Sequence, residues 1–311
     1  MLIFWIIIFV ISLVFLVKSS DWLLESAEKI GFSLGMSPFL IGITIVGIGT
    51  SLPELVSSLF AVFGNVTEIV VANAVGSNIA NIFLIIGISV LVAKNLTVTK
   101  NLIDLDIPLI VLSTALFYMT AYDGKVTFIE GVLLIGAYTS YILFSIFVKE
   151  SHVVDDDLNH IEKVKRVDYI WLGVGIVVLS ASANYLIESV IAISDMLKIA
   201  PAIISITAVA IGTSLPELLV SIKATRAGKS EVALGNIFGS NVFNLLGVVG
   251  ISSLFSNLSI DTKTLSLGIP VLIIATTLFA ISGISKKIHM QEGVFYLIIY
   301  IVFMGKLFEL F

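Results

Sequence analysis

PFLIGITIVGIGTSLPELVSS, residues 38–58, returns as PAIISITAVAIGTSLPELLVS at residues 201–221. Two further blocks return with it. NAVGSNIAN (73–81) matches NIFGSNVFN (236–244), and DWLLES (21–26) matches NYLIES (184–189). All three pairs are 163 residues apart, and chance does not hold one register over three blocks, so the chain is an internal duplication. Outward from these blocks the sequence is a series of apolar runs of about 20 residues, the length that crosses a bilayer as a helix. The runs predict ten helices, over 2–30, 38–63, 69–93, 102–121, 127–148, 169–196, 201–225, 231–255, 264–283 and 290–309. The opening run, LIFWIIIFVISLVFLV (2–17), has neither the basic leader nor the small-residue cleavage site of a signal peptide, and its counterpart in the second copy marks it as a helix.

Composition agrees with a membrane protein. Apolar residues make up 58% of the chain and charged residues 13%, too few polar groups to cover a soluble globule. No basic patch interleaved with aromatics appears, which argues against a nucleic-acid partner, and nothing marks a protein partner. Cysteine is absent, so disulfides and thiolate metal sites are excluded. The expected organisation is a first five-helix repeat (1–148), a short connector (149–168) and a second five-helix repeat (169–311). Five is odd, so the second copy enters the membrane from the opposite side and the repeat is inverted, as in many secondary transporters. Thirteen of the 17 Lys and Arg residues fall on the side that holds the connector. By the positive-inside rule the connector is expected in the cytoplasm and both termini outside the cell.

Glu54 and Glu217 sit within helices 2 and 7. A charge at the bilayer centre costs at least about 2.5 kcal/mol and usually faces a cavity or a bound group. No Lys or Arg lies deep in a helix to neutralise either one. Pro53 and Pro216 lack an N–H, which frees the carbonyls of Gly49 and Gly212 and suggests a broken helix at each glutamate. Thr50 and Ser51 share a helical face with Glu54, and Thr213 and Ser214 repeat the arrangement beside Glu217. On helices 3 and 8, Ser77 and Asn81, and likewise Ser240 and Asn244, are four residues apart and present oxygens along one stripe. Those residues suit close helix packing as well, so binding and packing both fit the pattern.

Every candidate ligand is an oxygen. His152, His160 and His289 all fall in loops. Such a set suits hard ions and is poor for zinc or copper, and calcium's flexible coordination fits it better than magnesium's. Two carboxylates balance one divalent cation or two monovalent ones, which is the charge equivalence an exchanger needs. Ions here are cargo, and no cofactor is expected. Glu25 and Glu188 read as interfacial anchors near helix ends, and Asp155–Asp157 as a solvated loop.

The doubled GTSLPEL and GSNxxN motifs resemble the alpha-repeats of the calcium/cation antiporter superfamily, in particular prokaryotic sodium/calcium exchangers. The resemblance spans all ten helices. It implies an all-α membrane protein that exchanges Na+ for Ca2+ across the cell membrane by alternating access. It also implies that Glu54, Glu217, Thr50, Ser51, Ser77, Asn81, Thr213, Ser214, Ser240 and Asn244 bind the ions, with backbone carbonyls of Gly47 and Ala210. Proton-coupled members are similar but carry Asn-Ala and then Glu where this chain has GTSLPE, so sodium coupling is favoured over a Ca2+/H+ exchanger using the same glutamates. Asn244, where potassium-dependent members tend to have Asp, favours potassium independence. An intramembrane hydrolase would need a deep nucleophile with its base, and no deep His is present. A channel would pass ions without a counter-ion.

Overall fold

In lipid, a backbone must satisfy its own hydrogen bonds, and a chain this apolar does so as helices. The computed structural model describes residues 2–97, 106–149, 164–197 and 214–310. Ten helices fall among them: α1 (Leu2–Ser33), α2 (Pro38–Phe63), α3 (Glu68–Ala93), α4 (Ile107–Ala121), α5 (Phe128–Lys149), α6 (Arg166–Met196), α7 (Leu215–Arg226), α8 (Ser230–Ser253), α9 (Thr264–Ile284) and α10 (Met290–Leu307). Eight are long and apolar enough to cross a membrane, and α4 is a shorter apolar helix of 15 residues. α7 opens where the described residues resume, so the first part of the predicted helix 201–225 lies outside them, with Ala210 and Thr213. α6 starts three residues earlier than predicted. Asp168, expected in the connector, instead accepts the Lys165 N–H (2.7 Å) and closes the first turn of α6.

Two small antiparallel sheets mark the ends of the bundle. β1 (Asn95–Thr97) pairs with β4 (Lys287–His289), and β2 (Lys125–Val126) pairs with β3 (Leu258–Ser259). α9 leads from β3 to β4, so the two sheets lie at opposite faces. α3 runs into β1 and its sequence counterpart α8 runs into β3. Matched helices therefore point in opposite directions, which is the inversion the odd helix number requires.

Packing repeats the relation in detail. Gly87 of α3 crosses α10 where an added Cβ would lie 3.1 Å from the Gly293 carbonyl oxygen. The matched Gly250 of α8 crosses α5, 3.2 Å from the Gly131 carbonyl oxygen. The Glu130 carboxylate accepts the Thr127 N–H and the Glu292 carboxylate accepts the His289 N–H, both at 2.7 Å, capping α5 and α10 alike. Thr114 and Thr276 hydrogen-bond across the boundary between the halves at 3.2 Å.

The buried apolar side chains form two clusters. The larger joins α2–α5 with α8–α10, around Phe83, Phe117, Phe238 and Phe279. The smaller, with Leu16, Leu23, Leu179 and Ala183 at its centre, joins α1 and α6 to each other and to α2, α7 and α8. Trp22 and Trp171 meet at 4.9 Å in that pair, and an added Cβ on Gly175 would fall 2.9 Å from the Leu23 amide. α1 and α6 thus pack as a pair outside the larger cluster, and the smaller one seats them on α2, α7 and α8.

Candidate functional site

α2 passes through Pro53 without breaking: helix continues from Gly47 to Phe63 with Pro53 inside it. The expected break is corrected here. A proline costs one helical hydrogen bond and a steric push on the preceding turn, and Gly49, without a side chain, leaves that turn room against Ile176. The irregularity falls one turn earlier, as a wide π-helical turn over Gly42–Val46. Two more such turns, Ala80–Ile85 and Phe243–Val248, stand 163 residues apart and contain Asn81 and Asn244. In the second copy α7 begins at Leu215, with Pro216 in its first turn, where a missing N–H costs nothing.

These helices bring the two glutamates together. Glu54 is 2% exposed and Glu217 1%, and their carboxylates are close enough to repel. Ser51 of α2 donates to Glu217 Oε1 at 2.9 Å across the helix interface. Glu217 Oε2 and both carboxylate oxygens of Glu54 have no hydrogen-bond partner among the described residues. Thr50, Ser240 and the Gly47 carbonyl form one group: Ser240 Oγ donates to Gly47 O at 3.2 Å and lies 3.4 Å from Thr50 Oγ1. Asn81 donates to Asn241 Oδ1 at 3.0 Å, and among the described residues its own Oδ1 and both amide atoms of Asn244 have no hydrogen-bond partner. Ser77 and Ser214 are buried at the same level.

Three asparagines join the cluster beyond those singled out from sequence. Asn236 accepts Thr50 Oγ1–H at 3.1 Å and donates to Ser221 Oγ at 2.9 Å. Asn78 donates to the Asn241 backbone carbonyl at 2.9 Å, joining the two copies at positions 163 residues apart. All three lie within the repeated NxxGSNxxN block, which was the signal available for finding them.

A cavity of about 940 Å³ descends to this cluster. Glu54, Ser77 and Pro216 line its floor, α6 and α10 its walls, and Lys263 and Leu307 its mouth, on the β2–β3 face. At that mouth Lys263 pairs with Glu309 (2.6 Å), and the hydrogen bond holds the Glu309 carboxyl below its usual range. The opposite, β1–β4 face is latched. There Lys223 of α7 binds Asp21 and the Val17 carbonyl of α1, and Lys229 binds Glu28 at 2.5 Å.

Among the described residues no group of three or more His, Cys, Asp or Glu side chains converges. Two carboxylates with neutral oxygens around them make a donor set of the kind that suits hard cations. The sequence profile described as "Sodium/calcium exchanger protein" matches the chain twice, over residues 4–147 and 167–308. The chain belongs to the sodium/calcium exchanger family. Members of the family are transporters, and this multi-pass membrane protein is a cation antiporter. The sodium/calcium exchanger MaX1 of Methanosarcina acetivorans is 32% identical, over 97% of this chain and 98% of its own. The inner membrane protein YrbG of Escherichia coli is 30% identical over 88% and 86%. The fold superposes on the sodium-calcium exchanger NCX_Mj soaked with zero Na+ and Ca2+, with a TM-score of 0.84, 30% identity, and coverage of 99% of this chain and 100% of that one. The same protein soaked with 2.5 mM Na+ and 0.1 mM Ca2+ gives 0.82, at 30% identity over 97% and 98%.

Proposed function

We propose that this family member exchanges Na+ for Ca2+ by alternating access, with Glu54 and Glu217 as the charged ligands. One observation carries the reading: three buried carboxylate oxygens, on two neighbouring acids at membrane depth, have no hydrogen-bond partner among the described residues. Leaving such groups without compensation costs several kcal/mol, and a cation supplies the compensation. Ser51, Ser77, Ser240, Thr50, Asn81, Asn244, Ser214 and the Gly47 carbonyl complete an oxygen shell; Thr213 and the Ala210 carbonyl, outside the described residues, are proposed as further ligands from the motif alone.

The two repeats, 1–148 and 169–311, each supply half of this centre, with 149–168 joining them. The α1–α6 pair, which lies outside the larger core cluster, slides across the rest of the bundle and opens the site to one face at a time. The β2–β3 face, where the cavity opens, is extracellular with both termini. The β1–β4 face carries most of the basic residues and is cytoplasmic. A sodium gradient then drives Ca2+ out of the cell without need of K+.

In the test, vesicles containing purified protein are loaded with Na+ and diluted into Na+-free buffer containing radioactive Ca2+. Uptake that follows the sodium gradient and ignores K+ supports the reading. Protons are the rival counter-ion because the same glutamates can carry them, and uptake that follows a pH gradient and ignores Na+ refutes sodium coupling.

A further inference from the structure

The duplication maps each wall of the open cavity onto its counterpart in the closed half. Matched residues are 163 apart in α1–α3 and α6–α8, and 162 apart in α4–α5 and α9–α10, as Gly131 and Gly293 show. The open walls include Gly268, Tyr300, Phe303 and Leu307. Their counterparts are Asp106, Tyr138, Tyr141 and Ser145. One of the four is unchanged, and the other three turn a small or apolar residue into an acid or a hydroxyl.

Asp106 and Ser145 are fully buried and Tyr141 is 4% exposed. Tyr141 lies within electrostatic reach of Asp106 and beside Ser145, and Tyr138 stacks on Phe243 of α8 at 5.4 Å. Asp106 is an acid at the buried start of α4, and ionisable residues within a membrane bundle usually face water or an ion in some state of the protein. In the present state none of the four reaches the open cavity. Phe243 occupies the position whose counterpart, Ala80, lines that cavity.

From this we infer that Asp106, Tyr138, Tyr141 and Ser145 form the wall of the second ion passage, the one that opens to the β1–β4 face, and that Asp106 draws divalent cations into it. The inference rests on the alternating access proposed above. The outer passage has apolar walls at the matched positions, so the two routes differ in charge. Capture is assisted on the side from which Ca2+ is scarce, and release is not hindered by a wall acid on the other.

The absence of native cysteine makes the passage measurable. Ser145→Cys is treated with a membrane-impermeant thiol reagent in inside-out and right-side-out vesicles, with Leu307→Cys as the control for the open cavity. The expected result is labelling of Ser145→Cys from the β1–β4 face alone, and of Leu307→Cys from the β2–β3 face. Asp106→Asn should raise the half-saturating Ca2+ concentration at the β1–β4 face roughly fivefold, the scale of one nearby charge seen through a partly aqueous path, and leave the other face unchanged. A Ser145→Cys that reacts from neither face while Leu307→Cys reacts overturns the passage. An Asp106→Asn effect equal at both faces overturns its role as a wall acid. If Glu54→Gln carries Ca2+ as well as the native protein does, the glutamate site itself fails, and that outcome is separate from both.

Discussion

Replacing Glu54 by Gln keeps the side chain's size and removes one of the two charges at the floor of the cavity. Both Glu54 oxygens lack a hydrogen-bond partner among the described residues, whereas Glu217 receives a hydrogen bond from Ser51. The substitution therefore breaks no contact described in the protein, and it removes repulsion between neighbouring acids. In buffer without Na+ or Ca2+ the variant should be at least as heat-stable as the native protein. Its effect appears when ions are added. Removing one partner of a buried charge pair costs about 3–5 kcal/mol, so Ca2+ affinity should fall by a factor on the order of 10² to 10⁴. One carboxylate still balances one Na+, so Na+ binding should weaken far less. Calcium-induced thermal stabilisation is the readout, since ligand at a hundred times its dissociation constant adds about 2.7 kcal/mol in the native protein and should add almost none in the variant. Calcium binding within about threefold of native, or equal losses for the two ions, would refute the charge argument.

The matched glycines of the GSN motif should behave differently. Gly239→Ala would put a Cβ 2.2 Å from the Ile43 carbonyl oxygen and should cost 1–3 kcal/mol or more in thermal stability, while Gly76→Ala, with nothing within 4 Å, should be tolerated. Lys223→Met and Asp21→Asn each loosen the latch on the β1–β4 face. The pair is partly exposed and worth up to about 1 kcal/mol, so labelling of Ser145→Cys from that face should rise as much as fivefold. Glu130→Ala and Glu292→Ala each remove a helix cap, and each should lower stability by about 1 kcal/mol, read as a similar drop in melting temperature.

Much of the architecture was legible because lipid imposes it. Ten apolar runs read as ten helices, and the 163-residue register gave away the duplication and the matched positions of Glu54 and Glu217. The π-helical turns at Asn81 and Asn244 were hidden, since one extra residue in a helix that is apolar on every side leaves the pattern unchanged. Pro53 misled because its local cost is real, while its absorption by Gly49 and the wide turn before it depends on neighbouring helices. The unequal treatment of the acids, with Ser51 bonded to Glu217 and Glu54 bonded to nothing among the described residues, could not be read from two identical GTSLPEL motifs. Asn78, Asn236 and Asn241 lay in plain view in the repeated block, but only the packing shows which of its polar residues turn inward. Strands of two or three residues are too short to carry a signal, although they mark the two faces.

The wide turns of α3 and α8 also date the parts of the molecule relative to one another. Both copies hold the added residue at the same place, so it was present in the ancestral five-helix unit before that unit doubled. The crossings of Gly87 with Gly293 and of Gly131 with Gly250 belong to the same early layer. The Lys223–Asp21 latch and the Asp106 wall have no charged counterpart at Phe60, Asn184 or Gly268, so each copy has since diverged. A symmetric ancestor could face either way with equal ease, so any preference for one direction postdates the doubling.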